Sequence, residues 1–329
     1  MAYYPKPSIS VIMPVYNTEM YIERAIVSLM EQTLQNIQFI IIDDGSNDDS
    51  LEIIKSVMSR YPERQKQLTL ISRENRGVAF TRAEGLAIAD GEYIIHMDSD
   101  DFVAITWLES LYCKALEESA DVVICDFDMY LKNKIISVRE MVKKNPDDCV
   151  RYLLTGKLSN SNCNKLIRKK IISDNDISYL TGLNMGEDFY FILKVLYFSK
   201  NISYVGESLY SYNRTNESSL TYYYSESSLN DLKEVVKMVS YFIREVNSED
   251  KFNFELNVMK LGVKNVHLLY SGRSLEKIKE SLRLYPESNC LVNSNYSPLL
   301  LRISYLLYRV KLSCIIPLLL LCREFYAKK

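Results

Sequence analysis

Short apolar runs alternate with helix-spaced amphipathic stretches through the first 126 residues. SISVIMPV at 8–15 reads as a buried strand, and 21–32 follows with Ile22, Ala25, Ile26 and Leu29 at helical spacing. A second apolar run, 39–42, breaks at Asp43-Asp44-Gly45-Ser46. The pattern then predicts a helix over 48–58, a strand over 68–72, a helix over 78–89, a strand over 93–97, a helix from about 105 to 118 and a strand over 121–126. Strands that alternate with amphipathic helices imply an α/β fold around a mostly parallel, helix-covered sheet. Right-handed crossovers then bring the carboxyl ends of the strands to one edge. Onto that edge fall Pro14-Val15-Tyr16-Asn17, Asp43-Asp44-Gly45-Ser46 and Asp98-Ser99-Asp100-Asp101, where open α/β sheets take their ligands.

Beyond residue 220 the pattern is helical. Leu229, Leu232, Val235, Val236, Val239, Phe242, Ile243 and Val246 share a helical spacing, and 256–270 gives a second such segment. The expected division is therefore 1–220 for the α/β part and 221–329 for a helical region. Tyr222-Tyr223-Tyr224 lies at the junction, where loop packing is the common role and contact with a glycan the alternative.

The 329 residues are 47% hydrophobic and 25% charged, ample for a large core, and the net charge of −2 gives no whole-chain field for nucleic acid. Seven scattered cysteines without a CxxC pair fit reduced thiols in the cytoplasm rather than a disulfide frame or a zinc site. Residues 1–7 are polar and lack the arrangement of a signal peptide. Of the two histidines, His96 reads as a strand residue beneath the acids. Charge is uneven along the chain. Residues 298–329 hold six cations against one acid, a net of +5, which leaves −7 on the rest. Their longest uncharged run, 312–322, has eleven residues and contains Pro317, well short of the roughly 20 that span a bilayer. An interfacial basic-amphipathic anchor is the favoured reading of this tail, with a helix pair docked on the protein or on a second copy as the alternative.

The acids after 93–97 carry the chemistry. Carboxylate oxygens at a strand's carboxyl end suit a hard divalent cation, which in turn suits a diphosphate. The plain alternative is an acidic turn capping the following helix. There is no GxGxxG after the first strand, no GxxxxGK[ST], and only ten glycines, which argues against dinucleotide oxidoreductases and P-loop kinases.

The order and spacing of several short motifs resemble the family 2 glycosyltransferases of GT-A fold (Rossmann-like) over roughly the first two-thirds of the chain. They include Ser10-Val11-Ile12-Met13-Pro14-Val15-Tyr16-Asn17, Ile42-Asp43-Asp44-Gly45-Ser46, Asn75-Arg76-Gly77-Val78 and Thr81-Arg82. Ala89-Asp90-Gly91-Glu92-Tyr93-Ile94, the aspartate run, Gly186-Glu187-Asp188-Phe189, Tyr210-Ser211-Tyr212-Asn213-Arg214 and Ser218-Ser219-Leu220 continue the match. Ala83 stands where many members carry Asn, and Ala79 where Ser is frequent.

The resemblance implies an inverting transferase that uses a nucleotide-diphosphate sugar. Pro14, Tyr16 and Asp44 would hold the base, with uracil expected and Tyr16 stacked on it. Asp98 would approach the ribose and donor sugar. Asp100 would ligate Mn²⁺ or Mg²⁺ on the donor diphosphate, with Asp101 assisting or binding donor hydroxyls. Arg82 would support the pyrophosphate or the donor-side loop. Asp188 would be the catalytic base, and Glu187 would orient the loop or meet the acceptor, a glycan or lipid-linked glycan. The same two acids can also simply stabilise a helix N-terminus. Lys165 matches a recurring position ahead of the acceptor region. The implied setting is the cytoplasmic face of the cell membrane, with membrane contact through 298–329 and a homodimer as further possibilities.

A processive polysaccharide synthase is the nearest rival, but its QxxRW motif is absent, since the one tryptophan lies in Ala104-Ile105-Thr106-Trp107. An inactive homologue serving as a membrane-bound assembly subunit is the non-enzyme alternative, and the intact Asp44, Asp98, Asp100 and Asp188 argue against it.

Overall fold

A computed structural model of the chain describes residues 6–183, 185–216, 224–272 and 274–327, the last five of these as backbone alone. Ser218 to Leu220 and the first two tyrosines of the 222–224 run lie outside the described residues; the ring of Tyr224 sits 4.9 Å from that of Tyr270. The chain divides into two compact units, residues 1–153 with 157–222, and residues 154–156 with 223–329.

The first unit runs β1 (Ile9–Val15), α1 (Ile22–Met30), β2 (Ile37–Asp43), α2 (Ser50–Ser59), β3 (Leu68–Ser72), α3 (Val78–Ile88), β4 (Tyr93–His96) and β5 (Phe102–Val103). It continues with α4 (Trp107–Glu117), β6 (Val122–Leu131), β7 (Lys134–Val138), α5 (Pro146–Leu154), β8 (Lys165–Arg168), α6 (Lys169–Asp174), α7 (Glu187–Phe198) and β9 (Ile202–Asn213). The nine strands form one sheet in the order β3-β2-β1-β4-β8-β6-β9-β5, with β7 paired to β6. Six strands (β1 to β4, β6 and β9) share a direction, and β5, β7 and β8 oppose them, so the sheet is mostly parallel.

The apolar runs are continuous rather than alternating because both faces of the parallel half are covered. Ile9, Val11 and Met13 on one face and Ile12 on the other are all at most 1% exposed. Ile22, Ala25, Ile26 and Leu29 of α1 and Trp107, Leu108 and Leu111 of α4 are buried in the same core. Burial of each large aliphatic side chain contributes about 1.5–3 kcal/mol, so this half is a rigid base for the loops above it.

Strand lengths open the cleft. Register Ile9↔Ile37 through Val15↔Asp43 keeps β1 and β2 together to their ends, whereas β4 pairs only with Ile9 to Ile12 of β1 and stops at His96. The strand order also reverses between β1 and β4, so the chain leaves β4 beside a gap at the switch point of the sheet.

The second unit is helical, with α8 (Glu226–Glu245), α9 (Glu249–Leu269), α10 (Leu275–Arg283), a 3₁₀ turn (Pro286–Leu291), α11 (Leu299–Arg309) and α12 (Ile316–Ala327). No described helix is long and apolar enough to cross a membrane.

Candidate active site

The three polar loops meet in one cleft of about 660 Å³, lined by residues 14–18, Asp44, 98–101, 159–161, 185–188 and parts of β6 and β9. The loops are tied to one another. Asn17, at φ 51°, donates its amide to Ser46 Oγ (3.0 Å) and accepts from the Asn47 amide through Oδ1 (2.8 Å). Thr18 donates its amide to Ser50 Oγ (2.9 Å) and its hydroxyl to Ser99 Oγ (3.1 Å). Tyr16 stands at this wall with 47% exposure, a flat ring offered to the cleft.

Asp43 makes the turn, accepting from the Ser46 amide (3.1 Å) and the Ser72 hydroxyl (2.8 Å). Asp44 organises the next loop. Its Oδ1 accepts from the Arg76 amide (2.8 Å) and from Arg73, and its Oδ2 from the Gly77 amide (2.9 Å). Gly45, at φ 76°, lets that loop approach, because a Cβ there would lie 2.8 Å from the Asn75 nitrogen. Arg73 is a hub that sequence patterning missed; it also donates to Glu84 (2.8 Å) and Thr81 (2.9 Å).

The aspartate run splits by environment. Asp101 is 1% exposed and spends both oxygens on β9, with Oδ1 accepting from the Asn213 amide (2.7 Å) and Oδ2 from the Tyr210 hydroxyl. Burial, reinforced by Asp100 and Asp98, pushes its carboxyl well above the usual range against those two bonds. Asp100 accepts from Asn216 through Oδ2 (2.8 Å), and burial with the Asp98 charge pushes it up to about 6. Asp98 accepts from Arg82 through Oδ1 (2.9 Å) and keeps 33% of its side-chain surface.

Arg82 lies at the centre, 4% exposed. Its Nη2 donates to Asp98, and its Nη1 to Glu187 Oε1 (2.7 Å) and Asp188 Oδ1 (2.6 Å). Burial opposes its charge, but Asp188, Asp98 and Glu187 together raise its pKa well above the ordinary value. One guanidinium thus joins the donor-side loop to the start of α7, and three carboxylates around one cation leave a local deficit of positive charge.

Gly186, at φ 84°, turns the chain into α7 and presents Glu187 and Asp188 in its first turn. Asp188 Oδ1 takes a second donor, Asn162 Nδ2, while Oδ2 has no hydrogen-bond partner among the described residues. Burial pushes Asp188 well above the usual carboxylate range; Arg82 opposes the shift, and Glu187 and Asp98 add to it. Asn162 is fully buried and also donates to the Tyr179 hydroxyl (2.8 Å), which lies 2.9 Å from His96 Nε2. Burial first, then Arg82, keeps the His96 imidazole neutral beneath the acids. Tyr179 in turn stacks on Phe191 of α7 at 4.3 Å. Lys165 is fully buried and donates to Ser161 O (2.8 Å) and Asn164 Oδ1 (2.9 Å), which fixes the segment that carries Asn162.

Among the described residues, no group of three or more His, Cys, Asp and Glu side chains forms a metal cluster. The donor set instead fits a cation shared with substrate. Magnesium-type ions bind through one or two carboxylates plus phosphate oxygens, and Asp98 and Asp100 both line the cleft.

The fold is GT-A. The S. aureus TarS 1–349 structure in complex with UDP-GlcNAc has a TM-score of 0.69 at 19% identity, covering 94% of this chain and 90% of that one. The Pyrobaculum calidifontis mannosyltransferase PcManGT, in complex with GDP-Man and Mn²⁺, gives 0.55 at 15% identity over 99% and 89%. The chain belongs to glycosyl transferase family 2, whose model matches residues 10–175, and it is a glycosyltransferase. It is 31% identical over 262 residues to the putative glycosyltransferase EpsH of Bacillus subtilis (strain 168), covering 76% of this chain and 73% of EpsH.

Proposed function

We propose that this enzyme is an inverting, divalent-cation-dependent transferase that moves a sugar from a UDP-sugar to a hydroxyl of a surface-polysaccharide or lipid-linked glycan precursor, working at the cytoplasmic face of the membrane. The observation that carries the reading is the Asp188 carboxylate at the cleft wall, whose two hydrogen-bond donors both converge on Oδ1 while Oδ2 has no hydrogen-bond partner among the described residues. The likeness to TarS, solved with UDP-GlcNAc, supports the donor class.

In this reading Tyr16 stacks on the base, and Pro14 with the Asp44-held loop forms its pocket. Asp98 meets the ribose and donor sugar. Asp100 would hold the cation, which when bound would neutralise charge growing on the leaving diphosphate. The acceptor oxygen attacks the anomeric carbon from the face opposite the diphosphate, and its proton passes to Asp188 Oδ2. The new C–O bond forms as the bond to the diphosphate oxygen breaks, and that electron pair leaves with the nucleoside diphosphate. Attack from that face inverts the anomeric centre. Arg82 acts through the carboxylates it aligns, supporting the donor-side loop, and Glu187 shares that cation at the acceptor side. Asp101 is assigned to positioning, because both of its oxygens are committed to β9.

The test is release of nucleoside diphosphate from UDP-, GDP- and dTDP-sugars with a lipid-linked glycan fraction, in Mn²⁺ and in chelator. Turnover of UDP-sugar that chelator abolishes is the expected result. Undiminished turnover in chelator would remove the cation from Asp100, and preference for another nucleotide would overturn the donor assignment.

A further inference from the structure

The last two helices carry two apolar faces, and among the described residues only one is covered. Leu301, Ile316 and Leu320 are buried in a cluster with Leu268, Ile278 and Leu282. The opposite side of α11 presents Leu299, Ile303, Leu306 and Val310, spaced four, three and four apart and 69%, 38%, 62% and 54% exposed. Leu312, Ile315, Leu318 and Leu321 extend the exposed apolar surface through the turn into α12. Eight of the twenty exposed large hydrophobic side chains among the described residues therefore fall within 299–321. Scattered exposed leucines need no explanation, but a contiguous apolar patch marks an interaction surface.

Charge selects the partner. Between Leu299 and Cys322 there is no acidic residue, and the cations are Arg302, Arg309 and Lys311. Arg302 is turned into the fold, donating to Ser294 O (2.6 Å) and Ser297 O (3.2 Å). Arg309 and Lys311 are exposed and have no ion pair among the described residues. We propose that the face formed by α11, the turn after it and α12 seats on an anionic lipid surface, with its aliphatic side chains in the headgroup–acyl boundary and Arg309 and Lys311 on the lipid phosphates.

A spanning role is excluded by length: α11 has 11 residues, about 16 Å, against about 30 Å of hydrocarbon. Self-association through this face is disfavoured, because a two-fold interface would set its cations against their own copies with no acid between them. The proposal deepens the membrane location of the proposed function by naming the surface that provides it. It uses no step of the transfer chemistry.

The test is co-sedimentation of the full chain with phosphatidylglycerol/phosphatidylcholine vesicles and with phosphatidylcholine vesicles alone. Binding to the anionic vesicles that weakens with salt is expected. Arg309→Gln with Lys311→Gln should lower the partition coefficient about 30-fold, at about 1 kcal/mol for each cation near the surface. Leu306→Ser with Val310→Ser should remove binding, and both double variants should keep wild-type donor turnover in solution, which shows that they fold. Equal binding to neutral vesicles, or none to either, overturns the proposal. So does a concentration-dependent dimer that Leu306→Ser converts to monomer, which would give the face to a second copy. Vesicle binding is read without donor, so failure of the transferase reading leaves this result standing, and the reverse also holds.

Discussion

Asp101, at the end of the aspartate loop, and Asp188, at the start of α7, are both acids that burial pushes well above the ordinary carboxylate range. They differ in how their hydrogen bonds are distributed. Asp101 gives one oxygen to the Asn213 amide and the other to the Tyr210 hydroxyl, so it is spent on joining its loop to β9. Asp188 takes both of its donors, Arg82 and Asn162, on the same oxygen. Burial and a raised pKa therefore do not identify a reactive carboxylate. On the proposed mechanism the distinguishing feature is an oxygen without a hydrogen-bond partner among the described residues, which Asp188 has and Asp101 lacks.

The comparison can be broken most forcefully at Asp188. Asp188→Asn keeps the size and hydrogen bonding of the side chain but removes the base, and transfer should fall by about 10³-fold, within the usual range for a general base. Next in size, Arg82→Ala leaves Asp98, Glu187 and Asp188 facing one another without their cation. It should cost about 3–5 kcal/mol of stability, read by denaturant unfolding. A wild-type midpoint would show that the three carboxylates do not need the guanidinium.

Asn162→Ala sharpens the contrast. Removing a neutral donor from the ionised carboxylate should lower kcat about tenfold with little change in donor KM. It should also move the acid limb of the kcat–pH profile upward. The sign follows from the base needing to be ionised: its folded-state pKa is raised, so activity is lost on acidification at a pH above the ordinary carboxylate range. Loss of a hydrogen bond to the charged form raises that pKa further. The groups around Asp188 are Arg82 from α3, Asp98 from the loop after β4, Lys165 from β8, Tyr179, and Glu187 from its own helix. An unshifted limb would reduce Asn162 to packing. The smallest effect is expected at Asp101→Asn, where the amide can accept only one of the two bonds. Stability should fall by about 1–3 kcal/mol while kcat of the folded enzyme holds. A hundredfold loss of kcat at unchanged stability would instead put Asp101 on the donor.

The parallel half of the sheet was legible because its strands are buried on both faces. The run at 68–72 coincides with β3, and the runs at 8–15 and 93–97 fall within a residue of β1 and β4. The antiparallel strands were hidden for physical reasons. β5 has two residues, β7 is a mostly exposed hairpin arm, and β8 is four residues long and opens with a buried lysine. The strand expected over 121–126 accordingly runs on to Leu131.

At the site, loop chemistry at strand ends pointed to Asp44, Asp98 and Asp100, whereas Asp188 came only from the resemblance of Gly186-Glu187-Asp188-Phe189 to the family's motif. Arg82 was legible as a donor-side residue, but not as the bridge to α7, because its partners lie up to 106 positions away in sequence. Tyr210 was legible only as part of a matching motif, and Asn162, Tyr179 and Arg73 gave no signal, since each acts by meeting a distant carboxylate or hydroxyl that only the folded sheet brings near.

The most direct test of the central claim measures UDP-sugar affinity by calorimetry and single-turnover transfer for Asp188→Asn beside the wild type. The account predicts an unchanged Kd with transfer slower by about 10³-fold. Unchanged turnover, or a loss fully explained by weaker donor binding, would contradict it.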